Sequence, residues 1–197
     1  NAGQAYKILA YTNNAHDEVG WFYPSSTSLE IDRYVVFDYN DNVWSYGELS
    51  RTAWLDEGTV DYPRATTDNY LYEQEFGFDD DGSPMTNVFI ESSDFDIGDG
   101  EQFAFISKII PDIKFLSNSE AGKVNLVLKT RDYPGDTLTT NSTSSIASTT
   151  QQAHIRGRAR QAVLRLESDD TNTDSSNSET GWRLGATRLE IRSDGKR

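Results

Sequence analysis

The sequence predicts an all-β protein, with propeller-like four-stranded antiparallel units followed by a longer-stranded antiparallel sheet or sandwich. Three observations predict it. Apolar and aromatic residues alternate with a period of two, and turn residues interrupt them roughly every ten positions. No segment carries the apolar spacing of a long amphipathic helix. The 4 Trp, 10 Tyr and 9 Phe in 197 residues supply enough large apolar surface to fold a chain of 25% charged residues.

Residues 1–84 read as propeller-blade-like hairpins. Glu18-Val19-Gly20-Trp21-Phe22-Tyr23 is a strand stopped by Pro24 and the Ser/Thr loop Ser25 to Ser28. Arg33 to Tyr39 and Val43 to Gly47 are two aromatic strands joined at Asn40-Asp41-Asn42, residue types that tolerate the left-handed backbone of tight turns. Arg51 to Leu55 gives a fourth strand, so Val19 to Leu55 matches one blade of roughly 40 to 45 residues. A second hairpin is expected from Tyr70 to Phe78, across Asp79-Asp80-Asp81-Gly82, to Thr86–Glu91.

Residues 85–197 read as an antiparallel sheet or sandwich of longer strands: Gln102 to Ile110, Val124 to Thr130, Ile155 to Ser168, and Gly181 to Ser193. Two polar stretches, 137–152 and 169–180, are expected to be loops that bind something or face a neighbouring subunit. The first residues, Asn1-Ala2-Gly3, lack an initiating Met, so the chain is expected to be a fragment of a longer one.

Composition narrows function. With no cysteine, disulfides, Cys-ligated zinc, iron–sulfur clusters and thiol catalysis are excluded. No apolar run reaches the roughly 20 residues of a membrane span, so a soluble chain with no membrane span is expected. The net charge is −14, but it is uneven. Residues 1–101 hold 21 acids and 4 bases, whereas residues 102–197 hold 11 acids and 14 bases. An acidic exterior keeps the first half soluble and repels phosphate, while the second half suits an acidic neighbour or DNA.

Reactive constellations are sparse. His16 and His154 sit in no ligand-spaced pair, and no nucleophile elbow, phosphate loop or dinucleotide fingerprint is present. A glycan-cleaving enzyme would need two facing carboxyl groups, and among 32 acids the sequence singles out no pair. Asp94 to Glu101 and Asp170 to Asp174 resemble calcium loops but miss the template positions, so ordinary Asx turns are expected. No catalytic residue, cofactor or metal is therefore assigned.

The most distinctive charge pattern is His154-Ile155-Arg156-Gly157-Arg158-Ala159-Arg160. On a strand it puts Arg156, Arg158 and Arg160 on one face, about 6.6 Å apart. Such a stripe suits an acidic protein surface or a nucleic-acid backbone, and pairing with the acidic half of a neighbouring copy is the favoured reading. Trp21 with Tyr23 and Trp44 with Tyr46 share a face in pairs and, with Trp54, read first as core and second as stacking platforms for sugars.

The strings Trp21-Phe22-Tyr23-Pro24-Ser25, Asp32-Arg33-Tyr34-Val35-Val36, Trp44-Ser45-Tyr46-Gly47 and Arg51-Thr52-Ala53-Trp54 resemble segments of the tail hub, nozzle or packaged-DNA-stabilisation proteins of short-tailed bacteriophages. Ile90 to Gly100, Ile109-Ile110-Pro111-Asp112, Tyr133-Pro134-Gly135-Asp136, Arg158 to Gln161 and Gly181 to Gly185 extend the resemblance over most of the chain. It implies a β-propeller-containing structural virion protein, assembled in the host cytoplasm as a homo-oligomeric, commonly hexameric ring. That ring would join portal, adaptor and other tail proteins, form part of the DNA channel or its closure, touch packaged DNA non-specifically, and aid DNA retention and ejection. The rival expectation is a secreted carbohydrate-binding β-sandwich module.

Overall fold

A computed structural model describes residues 2–96, 101–116, 122–169 and 181–196. The strands pair antiparallel throughout and fall into two units, Asn1–Phe76 and Gly77–Arg197. In the first unit, β1 (Leu9–Asn13), β2 (Glu18–Tyr23), β3 (Arg33–Asp38) and β4 (Val43–Glu48) form a meander in sequence order. β5 (Ala53–Leu55), β6 (Arg64–Thr67) and β7 (Tyr70–Glu73) form a second, three-stranded meander.

Turn chemistry sets both registers. At the β3–β4 turn, the Asp38 carboxylate accepts the N–H groups of Asn40 (2.9 Å) and Asp41 (2.8 Å), and Asn42 takes φ 57°. Between β6 and β7, Asp68 and Asn69 both have positive φ, 42° and 74°, which gives the two-residue turn whose twist matches that of the strands.

The core of this unit depends on two glycines. Gly20 stands opposite Tyr11 and Gly47 opposite Tyr34. A Cβ on Gly20 would lie 2.3 Å from Tyr11 Cζ, and one on Gly47 2.6 Å from Tyr34 Cε1, so each ring occupies the room its partner vacates. Folded down this way, Tyr11 stacks on Phe22 (4.5 Å between centroids) and on Trp54 (4.6 Å), whose Nε1 donates to the Thr12 carbonyl (2.8 Å). Phe22 is fully buried beneath them, worth about 2–3 kcal/mol of apolar transfer.

The four-stranded sheet expected between Val19 and Leu55 is present but differently composed. Its outer strand is β1, a segment too polar (Leu-Ala-Tyr-Thr-Asn) to stand out by alternation, while Ala53–Leu55 belongs to the second meander. The hairpin expected between Tyr70 and Glu91 is replaced too. Tyr70–Glu73 pairs backward with β6, and the Asp-Gly turn closes only the two-residue strands β8 (Asp79–Asp80) and β9 (Ser83–Pro84).

The second unit contains β8 and β9 and a sandwich. One sheet has the order β10 (Phe89–Glu91), β17 (Gln161–Ser168), β14 (Lys123–Arg131), β15 (Thr139–Ala147), with β11 (Phe95–Asp96) also on β17. Across the core lies β16 (Ala153–Ala159), β12 (Ala104–Ile110), β19 (Arg188–Ser193), and β13 (Ile113–Phe115) pairs β18 (Trp182–Leu184). Val124, Leu126 and Leu128 alternate inward from β14 and meet Ile106, Ile109, Ala153 and Ile155 from the facing sheet. In β12 the inward positions pass from even (Ala104, Ile106) to odd (Ile109), and a register shift between Ile106 and Lys108 absorbs the change.

Three expectations for this unit are corrected. Residues 137–152 are not a loop: Thr139–Ala147 pairs with β14 over its length, because Thr suits an edge strand and Ile146 anchors it in the core. Ile155 to Ser168 is two strands in different sheets, since a strand cannot keep its alternation while crossing the sandwich. Gly181 to Ser193 likewise divides into β18 and β19. The 169–180 stretch lies, apart from Asp169, outside the described residues.

Candidate interaction faces

Along β16, Ala153, Ile155, Gly157 and Ala159 point into the core, so His154, Arg156 and Arg158 point out. The alternation read from the sequence is the alternation observed for these residues. Arg160 departs from it, standing where the chain leaves β16 for β17. Its guanidinium lies 4.8 Å from both the Phe103 and Tyr133 rings and donates to the Lys196 carbonyl (3.3 Å). Its Nε is buried without a hydrogen-bond partner among the described residues. Arg160 is therefore a packing group rather than an outward contact.

Arg158 is half committed. It pairs with Asp194 (2.5 Å) and lies 4.1 Å from the Phe103 ring centroid. Arg156 is exposed and makes no ion pair or hydrogen bond among the described residues. The register then adds groups that sequence alone left scattered. Phe105 lies between Arg158 and Arg192, and Lys108 between His154 and Glu190. Arg192 sits 5.5 Å from the Phe105 ring, and Lys108 pairs with Glu190 (3.0 Å), whose carboxyl is held low by its bonds from Lys108 and Ser107. The face of β16-β12-β19 thus carries Lys108, Arg156, Arg158, Arg188 and Arg192 against Glu190 and Asp194. The alternation Arg188-Leu189-Glu190-Ile191-Arg192 was the available signal for its second half.

The first unit carries the opposite sign at one end of its four-stranded sheet. Asn13 is 1% exposed, and its Nδ2 donates to Glu18 (3.4 Å) and Glu75 (3.5 Å). Burial first, then Glu75, raises the Glu18 carboxyl above its usual range, and burial also raises the Tyr11 and Tyr34 hydroxyls. Tyr39 donates to Asp17 (3.2 Å), and the Asn14 N–H donates to Asp56 (3.3 Å). His16, 3.7 Å from Glu75, is the basic neighbour that opposes these carboxylates among the described residues. Asp41 and Glu57 are exposed on the adjoining turns.

A third feature is aromatic. Trp21, Phe37 and Trp44 face away from the Tyr11–Phe22–Trp54 core, with Trp44 packed on Phe37 (4.7 Å) and nearly parallel to Trp21 (6.2 Å, 23°). Trp44 is 60% exposed and Tyr46 73%. The expectation that these pairs build the core is corrected: alternation gave their common face, and the opposite face was the one covered. Trp54 is core.

The calcium-like run is used internally where it is described. Asp94 pairs with Arg131, and Asp96 accepts from Gln161 (2.7 Å). Residues 97–100 and 170–174 lie outside the described residues. The chain matches no protein-family model and no curated protein sequence. No helix among the described residues is long and apolar enough to cross a membrane.

Proposed function

We propose that this chain is a structural, non-enzymatic subunit of a bacteriophage tail, of the hub or nozzle type, that works through extended sheet surfaces in a homo-oligomeric tube. The observation that carries this is the guanidinium-rich face of β16-β12-β19, mounted on a rigid sandwich in a chain of net charge −14. A flat array of cations at strand spacing engages many separated anions weakly, which suits assembly or the lining of a conduit. The motif resemblance supplies the tail context, with portal and adaptor proteins as neighbours and packaged DNA as a transient contact. Antibody-gold labelling or cryo-electron microscopy of short-tailed particles tests it: a ring of this chain about the tail axis is expected, and its absence from the particle overturns the proposal.

The exposed Trp44, nearly parallel to the half-buried Trp21, favours a second reading, a carbohydrate-binding module. Titration with soluble glycans, followed by indole fluorescence, tests it. Saturable quenching that Trp44→Ala abolishes would establish that reading, and no response across oligosaccharide classes would remove it.

A further inference from the structure

We infer that the outward face of β16-β12-β19 docks a second copy of this chain, and that it receives the carboxylate end of that copy's β1–β4 sheet. The inference deepens the structural-subunit reading and rests on it. Charge complementarity selects the occupant. The face holds Lys108, Arg156, Arg158, Arg188 and Arg192, and among the described residues Glu190 pairs with Lys108 and Asp194 with Arg158. Asp17, Glu18, Asp38, Asp56 and Glu75 gather at the β1–β4 sheet end, with exposed Asp41 and Glu57 beside them and His16 as their basic neighbour.

The spacing agrees with a protein partner. Outward side chains repeat about 6.6 Å along a strand and about 4.8 Å between strands. This spreads the guanidiniums too widely for one phosphate or one carboxylate and suits carboxylates distributed over several turns. Arg156 and Arg192 make no ion pair among the described residues, so both present their charge outward. When the contact runs head to tail, it leaves a free face and a free end after each addition, and it closes into a ring when the rotation permits.

The test uses sedimentation velocity of the full chain at about 50 mM and about 500 mM salt, across which exposed charge contacts are strongly screened. The wild-type chain should associate at low salt and dissociate at high salt. Arg156→Glu with Arg192→Glu should weaken association at least tenfold, and Asp41→Lys with Glu57→Lys should do the same. A chain carrying all four substitutions should recover it, because both charges are exchanged. All four positions are exposed, so unchanged melting curves will certify that each variant is folded. A wild-type chain that stays monomeric at low salt, or four-substituted copies that do not reassociate, would overturn the inference. So would an Arg156→Glu, Arg192→Glu chain that loses retention on duplex DNA while self-association is untouched, which would give the face to nucleic acid. Rings of the chain in particle tails, with variants that assemble normally, would sink this contact and leave the tail reading standing. Charge-swap behaviour in a chain absent from tails would do the reverse.

Discussion

Gly157 permits the guanidinium face to exist. It lies inward on β16, where a Cβ would stand 2.6 Å from Leu128 Cδ2 and 3.3 Å from Thr130 Cγ2, against an ordinary carbon contact of roughly 3.5–4.0 Å. Gly157→Ala therefore forces a shift of about 1 Å in a side chain that is fully buried, and overpacking of this kind costs about 1–3 kcal/mol. Leu128→Ala alone should cost about 2–5 kcal/mol through the cavity it leaves. The double variant should recover about 1 kcal/mol or more relative to the sum, since the new methyl enters the space the leucine vacates. Hydrogen exchange of the β14 and β16 amides reads the opening free energy of this unit in the intact chain. Strict additivity, or a Gly157→Ala cost below about 0.5 kcal/mol, would refute the close approach of β16 to β14.

Three further outcomes are expected. Trp54→Ala should destabilise the first unit by about 3–5 kcal/mol, whereas Trp44→Ala should cost about 1 kcal/mol or less, as thermal melts of the two variants will show. Glu18 holds its proton more tightly folded than unfolded, so its burden on stability is absent at low pH and grows as pH rises through its folded pKa. Glu18→Gln should accordingly raise the melting temperature at neutral pH and flatten its decline from mildly acidic pH, and a drop at neutral pH would contradict this. Glu91 is held low by its hydrogen bond from Lys129 (2.6 Å), helped by Arg165, so its stabilisation is present above about pH 4.3 and lost as pH falls through the lower folded value. Glu91→Gln should shrink the acid-induced loss of stability in the second unit, measured by hydrogen exchange between mildly and strongly acidic pH.

The sequence by itself determined the all-β class, the turn at Asn40 to Asn42, a turn within Asp79 to Gly82, and the alternation that turns Arg156 and Arg158 to one side. Each follows from local chemistry: a period of two, and residues that accept positive φ. Tertiary structure decided what those local patterns mean. Alternation gave Trp21 and Trp44 a common face but not which face is covered, because that depends on where Trp54, over thirty residues from Trp21, brings the second meander. It also could not show that Arg160 turns inward onto Phe103 and Tyr133, since the break between β16 and β17 follows from crossing the sandwich and leaves no mark in the run Arg158-Ala159-Arg160-Gln161. The partnership of Arg158 with Arg192, on strands separated by β12, and of Glu18 with Glu75 arises the same way. Residues distant along the chain become neighbours only when strand order is fixed, and strand order is set by burial of the whole core rather than by any one segment.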